Sequence, residues 1–576
     1  MAETGDAALD QALRDTSPLL RLAEQAPVDA FGLIARATAE PVALEDVLRA
    51  EGFWGGLVEV RIAGEPAGTP GLAQRLAEPA APVPVEVRVT RGPRYTLRRV
   101  AIRADSPADA PVVAALPSPA LPPDSPARTG AVLDAEAALL TALRQAGHPL
   151  AAIAGREVVV EHAARAMDVA WVLAAGPRAA FAMPDITGTS RVNPALIARI
   201  AGRLTDQPFD PAAVERTRRA LLALGAFDTV RARAGTRLDE AGRLPVTFAL
   251  TDRPRNAAGI SLAYETNYGP TARVFYERRN LFGNAERLRI ELEGARLGGE
   301  AEDANARIGA NLRRPGLFDG RTSLVIDAAV LRERLNAYDR DAIVASALLE
   351  RPFGERWVLQ GGPVVDFGRV GRDGNFESAE LAGLLLGGRY DTTDSALDPR
   401  GGIRAHTTVI PYVGLDDGGG FVRAIGTLSF YLDLTGEGGT VLALRGRAGS
   451  VIGADRVVPL DKRFYAGGGG SVRGYAYQTI GPRDSQGRAE GGTALLEGSA
   501  EIRRRISGPF ALVAFLDGGS VAEGQVPTTK DMRFGAGLGL RYATGIGPLR
   551  IDVGIPLQPE QGDAPYGLYV GLGQSF

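Results

Sequence analysis

The sequence predicts small α+β modules at the N-terminus, followed by an all-β transmembrane barrel of about 16 antiparallel strands. Three observations predict it. Glycine numbers 18 in residues 1–257 and 55 in residues 258–576, whereas 24 of the 38 prolines precede residue 258. A pattern of roughly 80 residues repeats through the first part and stops there. The second part alternates apolar with polar or small residues at period two, in segments of about 8–12 residues.

The repeat rests on two markers. A helix-like segment ends in glycine at Gly52, Gly147 and Gly225, each followed within two residues by a bulky group (Phe53-Trp54, His148-Pro149, Ala226-Phe227). A glycine there suits the left-handed residue that closes a helix. Gly92-Pro93-Arg94 and Gly176-Pro177-Arg178 lie between β-like runs, and Arg253-Pro254-Arg255 is a degenerate third copy. The modules are expected at 1–90, 91–176 and 177–256. The best-formed one reads strand, helix, helix, strand, strand: 182–186, 194–203, 211–224, 230–234 and 246–251. Its second helix opens with Asp210 as cap and Pro211 in the first turn. Module one is expected to lack its first strand, since helix-like sequence begins almost at Met1. Residues 107–126 carry seven prolines and read as an exposed loop inside module two.

The second part is expected to close into a barrel over 257–576. Alternation is clear in 260–265, 288–293, 534–540 and 568–572. One face is apolar; the other carries Gly, Ser, Arg, Glu and Thr, which suits a polar lumen rather than a packed core. A closed barrel is the one sheet that pairs all its backbone in lipid. Dividing 319 residues by about 20 per strand and loop gives the 16 strands. The first strand (about 257–265) and the last (about 566–575) should meet. Ile260, Leu262 and Tyr264 face outward on one; Leu568, Val570, Leu572 and Phe576 do so on the other, with the terminal aromatic at the membrane edge.

Composition excludes much else. The chain has 576 residues with no Cys, which removes disulfides, thiolate catalysis and thiolate metal sites. Lys+Arg is 65 against 68 Asp+Glu, so no globally basic nucleic-acid surface exists. Only Lys462 and Lys530 are lysines. Gly467–Gly470 lacks the Lys-Ser/Thr of a phosphate loop. Asp391, Asp394 and Asp398 read as a turn rather than a calcium loop. Asp416-Asp417 reads as a solvated pair. His406 reads as structural, and no nucleophile elbow occurs. No catalytic residue, metal or cofactor is expected, and the chain reads as a non-enzyme.

The most specific segment is Arg463-Phe464-Tyr465-Ala466-Gly467-Gly468-Gly469-Gly470-Ser471-Val472-Arg473-Gly474-Tyr475, inside the longest non-alternating stretch (about 450–492). An arginine in a polar lumen must be paired, since a lone buried charge is costly. A wall carboxylate can take it bidentately. Glu501 and Asp517, on the two strands expected after the loop, are the candidates. Gly474 permits close approach or positive φ, and Tyr475 packs on the wall.

This segment resembles the Val-Arg-Gly-Phe/Tyr loop of the outer-membrane insertase and two-partner-secretion superfamily. Gly498-Ser499-Ala500-Glu501, Phe515-Leu516-Asp517-Gly518-Gly519, Tyr390–Asp394 with Asp398-Pro399-Arg400-Gly401, and Gly547–Asp552 resemble further signatures of the same superfamily, in order. The resemblance implies that the small modules are polypeptide-transport-associated (POTRA) domains. It also implies that clients insert by lateral opening of the seam between first and last strands. The flanks Phe464–Gly468 and Tyr477–Pro482 resemble the branch that forms the translocation and assembly module. That branch implies an outer-membrane location with modules in the periplasm, a large inner-membrane-anchored partner bound through the modules, and autotransporter-type clients. A general barrel-assembly subunit and a two-partner-secretion exporter stay open as alternatives; a passive pore fits less well. Gly571 and Gly573 read in two ways: they weaken the seam as strand glycines do, or they follow the general richness of this barrel in glycine. Met1–Asp6 carries no leader features, so an exported chain implies a precursor with a signal peptide and the missing strand upstream.

Overall fold

The computed structural model describes residues 4–22, 25, 29–77, 82–188, 190–265, 269–296, 304–318, 320–416, 419–453, 458–545, 547–561 and 563–576. Met1–Glu3, Asp417 and residues 454–457 of the long loop therefore lie outside the described residues.

The described residues form four sheets: three of three strands and one closed barrel. The first small sheet belongs to α1 (Ala7–Thr16), α2 (Pro18–Arg21), α3 (Ala30–Ala50), β1 (Leu57–Ile62), β2 (Glu65–Pro66), α4 (Leu72–Arg75) and β3 (Val85–Thr90). Asp6 caps α1 by accepting the N–H groups of Ala8 and Leu9. Leu9, Leu13, Leu44, Leu48 and Ile62 are buried in one core. Glu40 of α3 is wholly buried, and it accepts the hydroxyl of Ser17 and the N–H of Leu19, so α2 is tied to α3. The sheet order is β2-β1-β3.

The second comprises β4 (Thr96–Ala104), α5 (Ala110–Ala114), α6 (Thr129–Gln145), β5 (Ala152–Glu161) and β6 (Ala166–Ala174), with β4 parallel to a central β6. Period-two alternation turns Met167, Val169, Trp171 and Leu173 of β6 into the core. Trp171 of β6 is wholly buried and donates its indole N–H to Glu136 at 3.0 Å. On the outer side Arg98 grips Asp168 through two bonds of 3.0 and 2.7 Å and reaches Glu161 at 2.9 Å. That guanidinium holds the Asp168 carboxyl below its ordinary pKa. The proline-rich stretch contains α5 inside this unit.

The third comprises β7 (Asp185–Thr187), α7 (Pro194–Ala201), α8 (Pro211–Leu222), β8 (Phe227–Ala234) and β9 (Val246–Asp252), in sheet order β7-β9-β8. In the second and third sheets the first strand lies beside the last. Among the described residues, no strand takes that place beside β3. Gly52, Gly147 and Gly225 all stand at positive φ (90°, 95° and 74°) after their helices, as their spacing predicts.

The barrel is closed by sixteen strands: β10 (Asn256–Glu265), β11 (Gly269–Arg279), β12 (Arg287–Ala295), β13 (Asn305–Leu317), β14 (Thr322–Arg334), β15 (Asp339–Phe353), β16 (Trp357–Arg372), β17 (Asn375–Asp391), β18 (Gly402–Gly414), β19 (Gly420–Asp433), β20 (Thr440–Ile452), β21 (Ala494–Ser507), β22 (Phe510–Ala522), β23 (Arg533–Tyr542), β24 (Leu549–Pro556) and β25 (Gly567–Leu572). Each pairs antiparallel with the next. The strand count matches the sequence estimate because each strand and its loop take about the length assumed. Period-two alternation puts Ile290 and Leu292, or Leu538 and Leu540, outward and exposed, while charged and small groups line the lumen. The Trp357 ring lies tilted 4.7 Å from that of Tyr390, and Phe510 meets Tyr542 edge-on at 5.1 Å, at the end where β10 begins, an aromatic band of the kind that flanks a membrane. Asp391 ends β17 and accepts from Thr393, while in the turn that follows Asp394 accepts from the N–H groups of Arg400 and Gly401 and Asp398 accepts from Gln574.

Candidate functional site

Two features of the barrel stand out, and they touch. The first is the junction of β10 and β25. Among the described residues their register covers just Tyr264↔Val570 and Glu265↔Tyr569. By contrast, β16 and β17 pair along their whole length, from Trp357↔Tyr390 to Arg372↔Asn375. Residues 256–263 of β10 thus pair with β11 on one side and present an open edge on the other. Open N–H and C=O groups template an added strand.

Six of the seven residues predicted for this junction lie on these two strands. Ile260, Leu262, Tyr264, Val570 and Leu572 are exposed, and Leu568 is partly so. Tyr264 and Val570 face each other; Ile260 and Leu262 flank the open edge. Phe576 is a correction. The last strand ends at Leu572, three residues short of the sequence estimate, so Gly573 is outside it. Gly573 takes φ +88°, and its N–H donates to Pro548 O at 2.8 Å. Gln574 accepts from Arg541 Nε and donates to Asp398, both at 2.8 Å. The chain therefore turns inward. The Phe576 ring sits 6.4 Å from that of Tyr431, with the guanidiniums of Arg445 and Arg503 at 5.0 and 5.4 Å. A cationic surround for its π-face holds the ring better here than an edge position would.

The second feature is the long loop between β20 and β21, which folds into the lumen. Arg473 is 1% exposed. Its Nε and Nη2 donate to Asp517 at 2.7 and 3.0 Å, a bidentate grip, and its backbone N–H adds a third bond at 3.1 Å. Its Nη1 lies 2.7 Å from Glu501 Oε1, as an ion pair without a linear hydrogen bond, and 3.2 Å from Asp552. The guanidinium also stands 3.5 Å over the Phe515 ring. Arg503 holds Glu501 at 2.9 Å, and Arg541 pairs with Asp552. Three carboxylates thus face three guanidiniums, which is how such charges persist away from water. Sequence reasoning named Glu501 and Asp517 but missed Asp552. Its signal was a lone carboxylate at a lumen-facing position between outward Ile551 and Val553.

Val472 is wholly buried. Gly474 takes φ +102°, and a Cβ there would lie 2.5 Å from the carbonyl carbon of Ile555. Only glycine meets both demands. Its N–H donates to the Tyr569 hydroxyl at 2.9 Å, so the loop tip touches the strand that forms the seam. Tyr475 is buried and donates its hydroxyl to Gln558 O at 3.1 Å.

A profile of the Omp85 superfamily domain matches residues 280–576. The chain is 24% identical over 452 residues to the outer membrane protein assembly factor BamA of Neisseria meningitidis serogroup B, covering 68% of this chain and 56% of that protein. It is 24% identical over 483 residues to BamA of Neorickettsia risticii, covering 78% and 62%. It therefore spans about 56–62% of the length of these relatives. Among solved structures, BamA from Haemophilus ducreyi lacking POTRA domains 1–3 matches with a TM-score of 0.65 at 17% identity, over 83% of this chain and 100% of that one. CdiB from Escherichia coli matches at 0.51 and 13% identity, over 95% and 99%. At such identities these two show a shared fold.

Proposed function

The chain belongs to the Omp85 superfamily and is an outer-membrane β-barrel protein with a POTRA-like region at its N-terminus, and from that premise we propose that it assembles other outer-membrane proteins at the β10–β25 seam. The observation that carries this reading is the open edge of β10 over residues 256–263. An unfolded client strand gains backbone pairing there and buries its apolar face in lipid as it leaves. The chain contributes a template and a disturbed membrane rather than bond chemistry. A six-residue last strand is short for a bilayer and favours local thinning. Gly571 within that strand weakens it further.

Within the superfamily, the loop flanks Phe464–Gly468 and Tyr477–Pro482 favour a TamA-like role. The modules would then bind a large TamB-like subunit anchored in the inner membrane, with autotransporter-type barrels as clients. The named relatives favour a second reading, a BamA-like general assembly subunit. Cross-linking in native envelopes followed by affinity purification separates the two. A large, β-rich, inner-membrane-anchored partner supports the first reading; a set of outer-membrane lipoproteins supports the second. Recovery of one secreted protein and nothing else would contradict both.

A further inference from the structure

Of the two lysines in the chain, one is buried inside the barrel. Lys462 lies in the single turn Leu460–Lys462 that leads into the lumen loop, and it is 8% exposed. Its ammonium pairs with Asp366 of β16 and with Asp461 at 2.8 Å. Arg340 of β15 closes the cluster, 2.6 Å from Asp366 and 3.1 Å from Asp461. The Lys462 carbonyl accepts from Arg423 Nε of β19 at 3.0 Å, and the Tyr412 ring of β18 stands 5.8 Å from the ammonium. Two cations thus face two carboxylates, one from the loop and one from the wall.

The residue type is informative. Of 65 basic residues all but two are arginine, yet a lysine stands here. An ammonium donates in three directions from one point, whereas the planar fork of the site is already filled by Arg340. Nothing in the Arg473 cluster needs this pair. It binds a different part of the wall: β15 and β16, where Arg473 binds β21, β22 and β24. Further along the same loop, Arg372 at the end of β16 bonds Asp484 at 3.3 Å and the Ala489 carbonyl.

We infer that Lys462 is a second anchor of the lumen loop: it ties the loop base to β15–β16 and so positions the Arg473 motif against the strands next to the seam. The loop becomes a strut fixed at both ends, so the tip stays seated when β10 and β25 part. This role holds whichever client the seam takes.

Trypsin cleavage at Arg483 and Arg488 of the full chain refolded in liposomes reads how often the loop leaves the lumen. Folding is checked by the change in gel mobility on heating. Folded Lys462→Met is expected to be cut more than about tenfold faster than the unaltered chain, the change that roughly 1.4 kcal/mol of lost closure gives. Asp366→Asn should also speed cleavage, and the double variant should fall short of the sum of the two single effects, since both remove the Lys462–Asp366 pair. Lys530→Met is the control and should match the unaltered chain. A charge-restoring arm separates anchoring from misfolding. Lys462→Cys supplies the only thiol in the chain. It is modified in denaturant with an aminoethyl or a methyl methanethiosulfonate, then refolded. The adduct bearing an ammonium should restore slow cleavage and the neutral one should not. Equal cleavage of Lys462→Met and the unaltered chain, additive single effects, or identical behaviour of the two adducts would overturn the assignment.

Discussion

Removing the Arg473 guanidinium leaves Glu501, Asp517 and Asp552 turned toward one another, each no more than 1% exposed. Breaking a buried pair in this way costs about 3–5 kcal/mol. Arg473→Ala is therefore expected to lower the denaturant midpoint of the refolded barrel and to reduce assembly activity at equal protein level. Arg473→Lys should recover only part, because an ammonium cannot grip Asp517 bidentately. Wild-type midpoint and activity in Arg473→Ala would remove the lock. Gly474→Ala meets both a positive φ and the Ile555 backbone, and should cost roughly 1–3 kcal/mol by the same measurement. Outside the barrel, Arg98 depresses the Asp168 pKa. The stabilisation is present above the unfolded aspartate value, about 3.9, and is lost as pH falls through the lower folded value. Amide exchange in β5 and β6 should therefore quicken on acidification from pH 4 downward, and Asp168→Asn should flatten that dependence. An unchanged acid response in the variant would assign it to other groups. At this scale the sequence was readable where a residue type was unusual for its place, as with Arg473 among glycines. Asp552 was not, because many lumen positions carry charges and only the fold shows which converge.

Strand-level behaviour follows from register. The ladder of β16 and β17 is continuous, whereas among the described residues β10 meets β25 at two residue pairs. Exchange measured in lipid nanodiscs should find residues 256–263 far less protected than 357–372. Equal protection would mean that the seam is paired along its length. The inward turn at Gly573 sets how short β25 is. Phe576→Ala should weaken the tail by about 0.5–2 kcal/mol, the scale of a cation–π contact. It should leave the outward face of β25 unaltered. Strand existence was legible from alternation, since a pleated strand with one face in lipid cannot hide its period. The end of β25 was not legible. Gly573 continues the apolar–small pattern, and it is contacts with Leu397, Asp398 and Arg541, remote in sequence, that draw the tail into the lumen.

For the whole molecule, the change at residue 258 was visible in glycine and proline usage because membrane strands and small α+β sheets use these residues differently. The loop, the seam strand and the lumen wall form one connected structure. Arg473 is fixed by β21, β22 and β24, and Gly474 donates to Tyr569 on β25. The seated loop tip is therefore joined to β25, one of the two seam strands, through Tyr569. The central claim is that assembly passes through the β10–β25 junction, and the cysteine-free background allows a direct test. The pair Tyr264→Cys and Val570→Cys places two thiols opposite each other at an outward-facing position where the strands meet. In proteoliposomes, oxidation of this pair should abolish insertion of a barrel client, and reduction should restore it, with each single variant active throughout. Full insertion activity with the seam covalently closed would contradict the account.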